Sequence, residues 1–345
     1  MSSNFLLLYQ YLAILFVMMF LPFIHIIIAI RGKKDVEPLH INLDYSKNPR
    51  YMAIPFEEYF YKTFPKEQLI NGAILEDGRV GKVEVLKQES LKNAKHYQMF
   101  YLLDDIVFPK RKKIKREIFA QKSIRLSHHS QVRAIKARGD VILGPHCKVQ
   151  RWIDSDTNII VGRHSCVNII YAVGHLVMQP GSKFKRLYAH PVQSSHEIKY
   201  SLIRDVPERQ ELVHSDITDN LLYLTKKRET IANHTHISSS LVSQHHLILG
   251  DFVYVQGDIK SNGKLVIGKD CVVNGNIFSE EDIYISRHCF ISGNIFSHKN
   301  IYICEGTQIG TQKHTKSIVT KGSIKIEKDV TVFSYILADE EGEII

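Results

Sequence analysis

Through the second two-thirds of the chain, apolar residues stand two apart and the pairs recur with a period of about 18 residues. Three consecutive units show it: Val255-Gln-Gly257-Asp-Ile259, Val273-Asn-Gly275-Asn-Ile277 and Ile291-Ser-Gly293-Asn-Ile295. A second apolar pair follows each, namely Leu265/Ile267, Ile283/Ile285 and Ile301/Ile303. Period-two alternation sends one strand side chain inward and the next outward. A unit this short cannot bury its apolar positions alone and needs a like coil above and below it. The pattern therefore predicts an all-β solenoid, a parallel β-helix of about 17–18 residues per coil. Gly257, Gly275 and Gly293 fall where the backbone turns a corner, a place suited to a residue tolerant of unusual backbone angles.

The same pattern runs upstream. Ile118, Ile135, Ile153 and Ile170 lead successive units, and Ile135-Lys-Ala-Arg-Gly-Asp-Val141 matches Ile259-Lys-Ser-Asn-Gly-Lys-Leu265 position by position. From about Pro191 to Asn220 the period breaks, among prolines and charges, and an insertion is expected. The reading divides the chain into an anchor and basic flank (1–34), a small α+β membrane-proximal segment (35–117), block 1 of the β-helix (118–190), the insertion (191–220) and block 2 (221–345). Tyr51 to Phe64 is rich in aromatic residues and is expected to form the packed face of the small segment, with an interfacial helix as the alternative. Roughly ten to twelve coils are expected in all.

A rod has two ends, each a ring of unpaired strand edges that invites another chain to stack on it. The C-terminal end, near Phe333, Tyr335 and Ile336, is apolar and is the predicted self-assembly surface.

The apolar content is uneven. Phe5 to Ile30 carries no charged residue. As a helix it would be about 39 Å long, against roughly 30 Å of hydrocarbon core. It lacks the basic start and small-residue cleavage site of a signal peptide. Arg31, Lys33 and Lys34 follow it directly, so the expectation is a single-pass transmembrane helix with its N-terminus outside and the bulk of the chain cytoplasmic. Five cysteines, with no CxxC pair, fit a reducing compartment, and Cys271 and Cys289 occupy equivalent places in successive coils. Part of the net charge of +9 is local: Lys110, Arg111, Lys112 and Lys113 head a basic cluster suited to anionic lipid headgroups. Nucleic acid ranks below lipid as its partner.

The Gly-Asn-Ile and Gly-Asp-Ile units, the run from Ile267 to Val272 and the period together resemble the bactofilins, over perhaps half of the chain. The resemblance implies a right-handed parallel β-helix that polymerises end to end without nucleotide. It also implies attachment to the inner face of the membrane and scaffolding of cell-shape, envelope or motility machinery. This chain is longer than a single bactofilin domain, and its extra segments could cap the ends.

The rival enzyme is a hexapeptide-repeat acyltransferase on a left-handed β-helix, with His146, His164, His175 or His190 as general base. That coil wants an aliphatic residue at every sixth position, and Ser279 and Ser297 interrupt the series. Right-handed winding is favoured by the resemblance to the bactofilins; periodicity alone does not fix the hand. The close histidines, His128-His129, His234/His236 and His245-His246, lack a cysteine or carboxylate at ligand spacing. No catalytic residue, cofactor or metal is expected; the partners expected are the membrane, other copies of the chain and envelope or motility proteins.

Overall fold

A computed structural model describes residues 2–20, 49–78, 81–89, 98–195, 216–217, 221–225 and 227–345. The chain divides into two compact units, Met1–Asn48 and Pro49–Ile345. In the first, residues Ser2–Phe20 form an α-helix. The expected span over Phe5 to Ile30 is described only in this first part; its remainder and the basic flank lie outside the described residues. Among the described residues no helix is long and apolar enough to cross a membrane.

The second unit is a β-solenoid of about 13 turns. At a coil spacing of about 4.8 Å it measures roughly 60 Å along its axis. Each coil contributes three short parallel strand segments. Inward residues stack into ladders such as Leu241, Ile259, Ile277, Ile295, Ile318 and Ile336, each in register with the next. Ile267, Ile285 and Ile303 form a second ladder. All of these are buried, and one continuous core runs through both blocks. The corner glycines serve a purpose different from the expected one. A Cβ on Gly275 would lie 2.2 Å from the carbonyl oxygen of Gly257, and one on Gly293 would lie 2.0 Å from that of Gly275. Close approach of successive coils, not a left-handed φ, demands glycine there.

Ser243, Ser261, Ser279 and Ser297 line the inside of another corner, fully buried. Each turns its hydroxyl on a backbone carbonyl, as Ser261 does to His245 (2.7 Å) and Ser279 to Gly263 (2.8 Å). A buried hydroxyl is tolerable only with such a partner. The serines that interrupt the hexapeptide series are thus a ladder in their own right.

The array begins earlier than residue 118. Leu86, Phe100, Leu102, Ile106, Phe108 and Ile114 already belong to the interior core. The strand Met99–Leu102 pairs in parallel with Lys113–Ala120. The segment 35–117 is therefore no separate domain where it is described: the hairpin of Ile74–Asp77 with Gly81–Leu86 lies over the first coil. The helix Ala53–Thr63 lies along the flank, where Phe60 and Phe64 pack on Tyr101 and Phe119. The aromatics from Tyr51 to Phe64 that fall on this helix include a packed face, as expected.

The two blocks meet at their C-terminal coils. The strand Lys183–Ser194 ends block 1, and it pairs antiparallel with Thr331–Ile344, the last strand of the chain. Every pairing inside the blocks beyond the hairpin is parallel, so this junction marks where two coils wound toward one another come together. The insertion begins after the strand Lys183–Ser194, and most of it lies outside the described residues. Asp216–Ile217 is already part of block 2, paired with His236–Ile237.

Candidate functional site

The predicted self-assembly end is the inner junction. Tyr335 sits opposite Tyr188, Ile336 opposite Leu187 and Leu337 opposite Arg186. Phe333 and Ile336 are fully buried. The edge is satisfied along its length: Gly181 donates its N–H to Ile344 (2.7 Å), Ile344 to Ser182 (3.0 Å) and Asp329 to Ser194 (2.9 Å). Lys183 Nζ reaches Glu341 at 2.8 Å across the seam. Gly342 leaves room for the Phe184 ring, which a Cβ would approach to 2.2 Å. Phe333, Tyr335 and Ile336 are therefore not an open end, because an edge already paired on both sides has no ladder bonds to offer. A single sequence shows that this edge is apolar but not that its partner lies about 150 residues upstream in the same chain.

The outer coil of block 2 is different. Leu221–Leu224 pairs with Ser240–Ser243, and Arg228–Ile231 with His246–Leu249. Among the described residues neither strand has a pairing on its other side. Leu222, Leu224 and Ile231 are only partly buried, packed on the end of the core.

The flank of block 1 holds a charge cluster that sequence reasoning missed. Lys136 is fully buried in the solenoid wall, with Nζ 2.7 Å from both Asp154 Oδ1 and Asp156 Oδ1 and 3.6 Å from Glu57 Oε2. Arg50 donates to both oxygens of Asp154 at 2.8 Å and to Asp156 at 2.7 Å. The hydrogen bond to Asp154 is the largest influence raising the Arg50 pKa, partly offset by its burial. Arg138 completes the set by donating to Glu57 at 3.0 Å. Three cations thus face three carboxylates, and the group bolts the segment before and through Ala53–Thr63 to the wall. Trp152 closes the apolar side, its ring 5.7 Å from that of Phe56.

The basic residues Lys110, Arg111, Lys112 and Lys113 lie at a corner inside the array, not ahead of it. Arg111 takes a left-handed turn conformation (φ 58°), repeated one coil at a time by His129, His146 and His164 (56°, 57° and 55°). The rings of His129 and His146 stack at 4.8 Å and those of His146 and His164 at 5.1 Å. After each of the three histidines the next residue is small and polar: Cys147 Sγ bonds the Ser127 carbonyl and Ser165 Oγ the Gly144 carbonyl. Block 2 repeats the device with Cys271 on Gly250 and Cys289 on Gly268, both at 3.1 Å. In Cys147 and Cys289 the neutral thiol is favoured. The hydrogen bond to Cys271 and then burial push Cys289 well up, and burial raises Cys147.

The four histidines proposed as a general base do not form one site. His146 and His164 stack at the corner just described, whereas His175 and His190 belong to another one. There His190 Nε2 lies 2.9 Å from the Tyr188 hydroxyl, and burial lowers the His190 pKa. Among the described residues no three His, Cys, Asp or Glu side chains gather as metal ligands. A shallow groove beside Lys227, His245, His246 and Glu281 is open to solvent.

No family model matches the chain, and no curated protein or solved structure matches it either. The fold and these surfaces define a scaffold-like β-solenoid.

Proposed function

We propose that the chain is a membrane-tethered β-solenoid scaffold whose work is assembly and not chemistry. The observation that carries this reading is the asymmetry of the rod. Its two inner ends are joined to each other, while the outer coil of block 2, at Leu221–Leu224 and Arg228–Ile231, has strand pairing on one side among the described residues. A ladder edge of this kind is a template for a further strand. The bactofilin-like reading, in which copies associate end to end and organise envelope, shape or motility machinery, uses this outer end in place of the one at Phe333. Support for the tether comes from the uncharged run of Phe5 to Ile30, within which Leu12, Ile14, Leu15 and Met18 are exposed.

A second reading, a membrane-tethered platform that binds partners without polymerising, is favoured by the closed junction, which removes one of the two polymer contacts a simple rod would have. Negative-stain microscopy of the full chain in detergent separates them. Filaments that disappear in Leu222→Lys establish end-on assembly, and single rods in both proteins establish the platform. Particles with three-fold symmetry would overturn both in favour of the acyltransferase.

A further inference from the structure

Block 1 carries one outward face unlike any on block 2. Its inward ladder is Ile114, Val132, Val149, Val167 and Phe184, all buried. Alternation points the residues between them outward. In register across five coils runs the column Lys113, Gln131, Lys148, Cys166 and Lys183. Two residues further along the same strands stand Lys115, Arg133, Gln150, Asn168 and Lys185. Neither column contains an acidic residue. Glu117, at 3.2 Å from Arg133, and Glu341, on Lys183, approach from its margins. At the same position after the corner, block 2 has the column Tyr254, Val272, Phe290 and Gln308.

We infer that this face of block 1 lies against an anionic lipid surface. The inference rests on the membrane-tether reading above and extends it from a tether to a second, electrostatic contact. A bilayer fits for three reasons. The cations stand on the broad side of a sheet, Lys113, Lys148 and Lys183 two coil repeats or about 10 Å apart, and not in a groove that would track a single strand. The two columns contain no Phe, Tyr or Trp on which bases could stack, the usual second element of single-strand binding. The basic corner from Lys110 to Lys112 continues the face at its edge. The sequence expectation of a lipid contact at Lys110 to Lys113 thus becomes one border of a larger surface.

The face carries its own reporter. Cys166 stands between Lys148 and Lys183 and is partly exposed, whereas the other four cysteines are buried. The experiment follows the alkylation rate of Cys166, by mass spectrometry, in full-length chain mixed with phosphatidylcholine vesicles with or without phosphatidylserine. Phosphatidylserine should slow Cys166 several-fold, and high salt should restore the rate. The combined variant Lys113→Gln, Lys148→Gln, Lys183→Gln should remove the protection, each lysine lost costing about five-fold in vesicle affinity. Glutamine is tolerated in this column because Gln131 already occupies it. Equal rates on both kinds of vesicle would overturn the inference, as would slowing by single-stranded DNA but not by vesicles. Flotation with phosphatidylcholine alone reads the tether separately, so its failure removes that reading while the dependence on phosphatidylserine is still measured.

Discussion

Lys136 and Lys260 occupy the same place in the same repeat, one in each block, and meet opposite surroundings. Lys136 is fully buried among carboxylates, while Lys260 is exposed, its ammonium 5.6 Å from the Phe278 ring. The neighbouring rungs repeat the contrast. Phe119 is sealed beneath the helix Ala53–Thr63, whereas Phe278 and Phe296 stack at 5.4 Å on the outer wall of block 2. The interiors of the blocks obey one rule and their exteriors two. A solenoid coil specifies its inward ladder from within, but what its outward residues meet depends on whether another piece of chain covers them. Block 1 is clothed and braced, with a basic face left over. Among the described residues block 2 is bare, and regular enough for polar ladders: Asn276 donates to Asp258 and Asn294 to Asn276, at 3.0 and 3.1 Å.

The largest effect should come from breaking the rule the blocks share. Ile277 is 1% exposed, in register with Ile259 and Ile295. Ile277→Lys places an unpaired charge in a dry ladder and should cost more than about 4 kcal/mol. Because one core runs through the junction, the loss should not stay in block 2. Thermal unfolding followed by hydrogen exchange should show protection falling in the strand Lys183–Ser194 as well as in block 2. Loss confined to block 2 would mean that the seam does not couple the blocks.

A smaller effect should separate them. Asp154 is 1% exposed and is the shared partner of Lys136 and Arg50. Asp154→Ala leaves Lys136 fully buried with the more exposed Asp156 as its closest partner. Removing one member of a buried pair costs about 3 kcal/mol or more. The loss should appear in block 1, as proteolysis within the helix Ala53–Thr63, while block 2 stays resistant. Equal sensitivity of both blocks would show that the cluster stabilises the rod as a whole and not the clothing of one flank.

The contrast also marks what could be read without a structure. The period, the inward ladders and the equivalence of Ile135 to Ile259 were legible, because they repeat locally and alternation assigns each residue a side. The first coil, around Phe100 and Phe108, keeps the 18-residue spacing to Ile118 and Leu126 and was missed because the helix and antiparallel hairpin before it follow no such period. The junction and the charge cluster were missed for a different reason. Arg50 and Asp154 are 104 residues apart, and nothing in either segment encodes the other. Lys136 gave no signal at all, since its twin Lys260 makes the exposed reading reasonable. The glycine ladder was placed correctly but explained by backbone freedom, when the cause is crowding between coils.

The smallest expected effect uses the thiol ladder. Cys289 has a pKa raised by its hydrogen bond with Cys271 and by burial, and burial raises Tyr101 on the flank of block 1. For a group whose folded pKa exceeds its unfolded value, the stabilisation is complete below the unfolded pKa and is lost as pH rises toward the folded one. Unfolded cysteine titrates near 8.5 and tyrosine near 10, so the cysteine contribution should decline first, from about pH 8.5 upward. Serine is a natural replacement, because Ser165 makes the same corner bond at 3.1 Å in block 1. Cys289→Ser should therefore flatten the fall in melting temperature between about pH 8.5 and pH 10 and leave the tyrosine-dependent fall above it unchanged. An identical slope in both proteins would place the alkaline sensitivity away from Cys289, leaving Cys147, Cys304 and Tyr101 as its source.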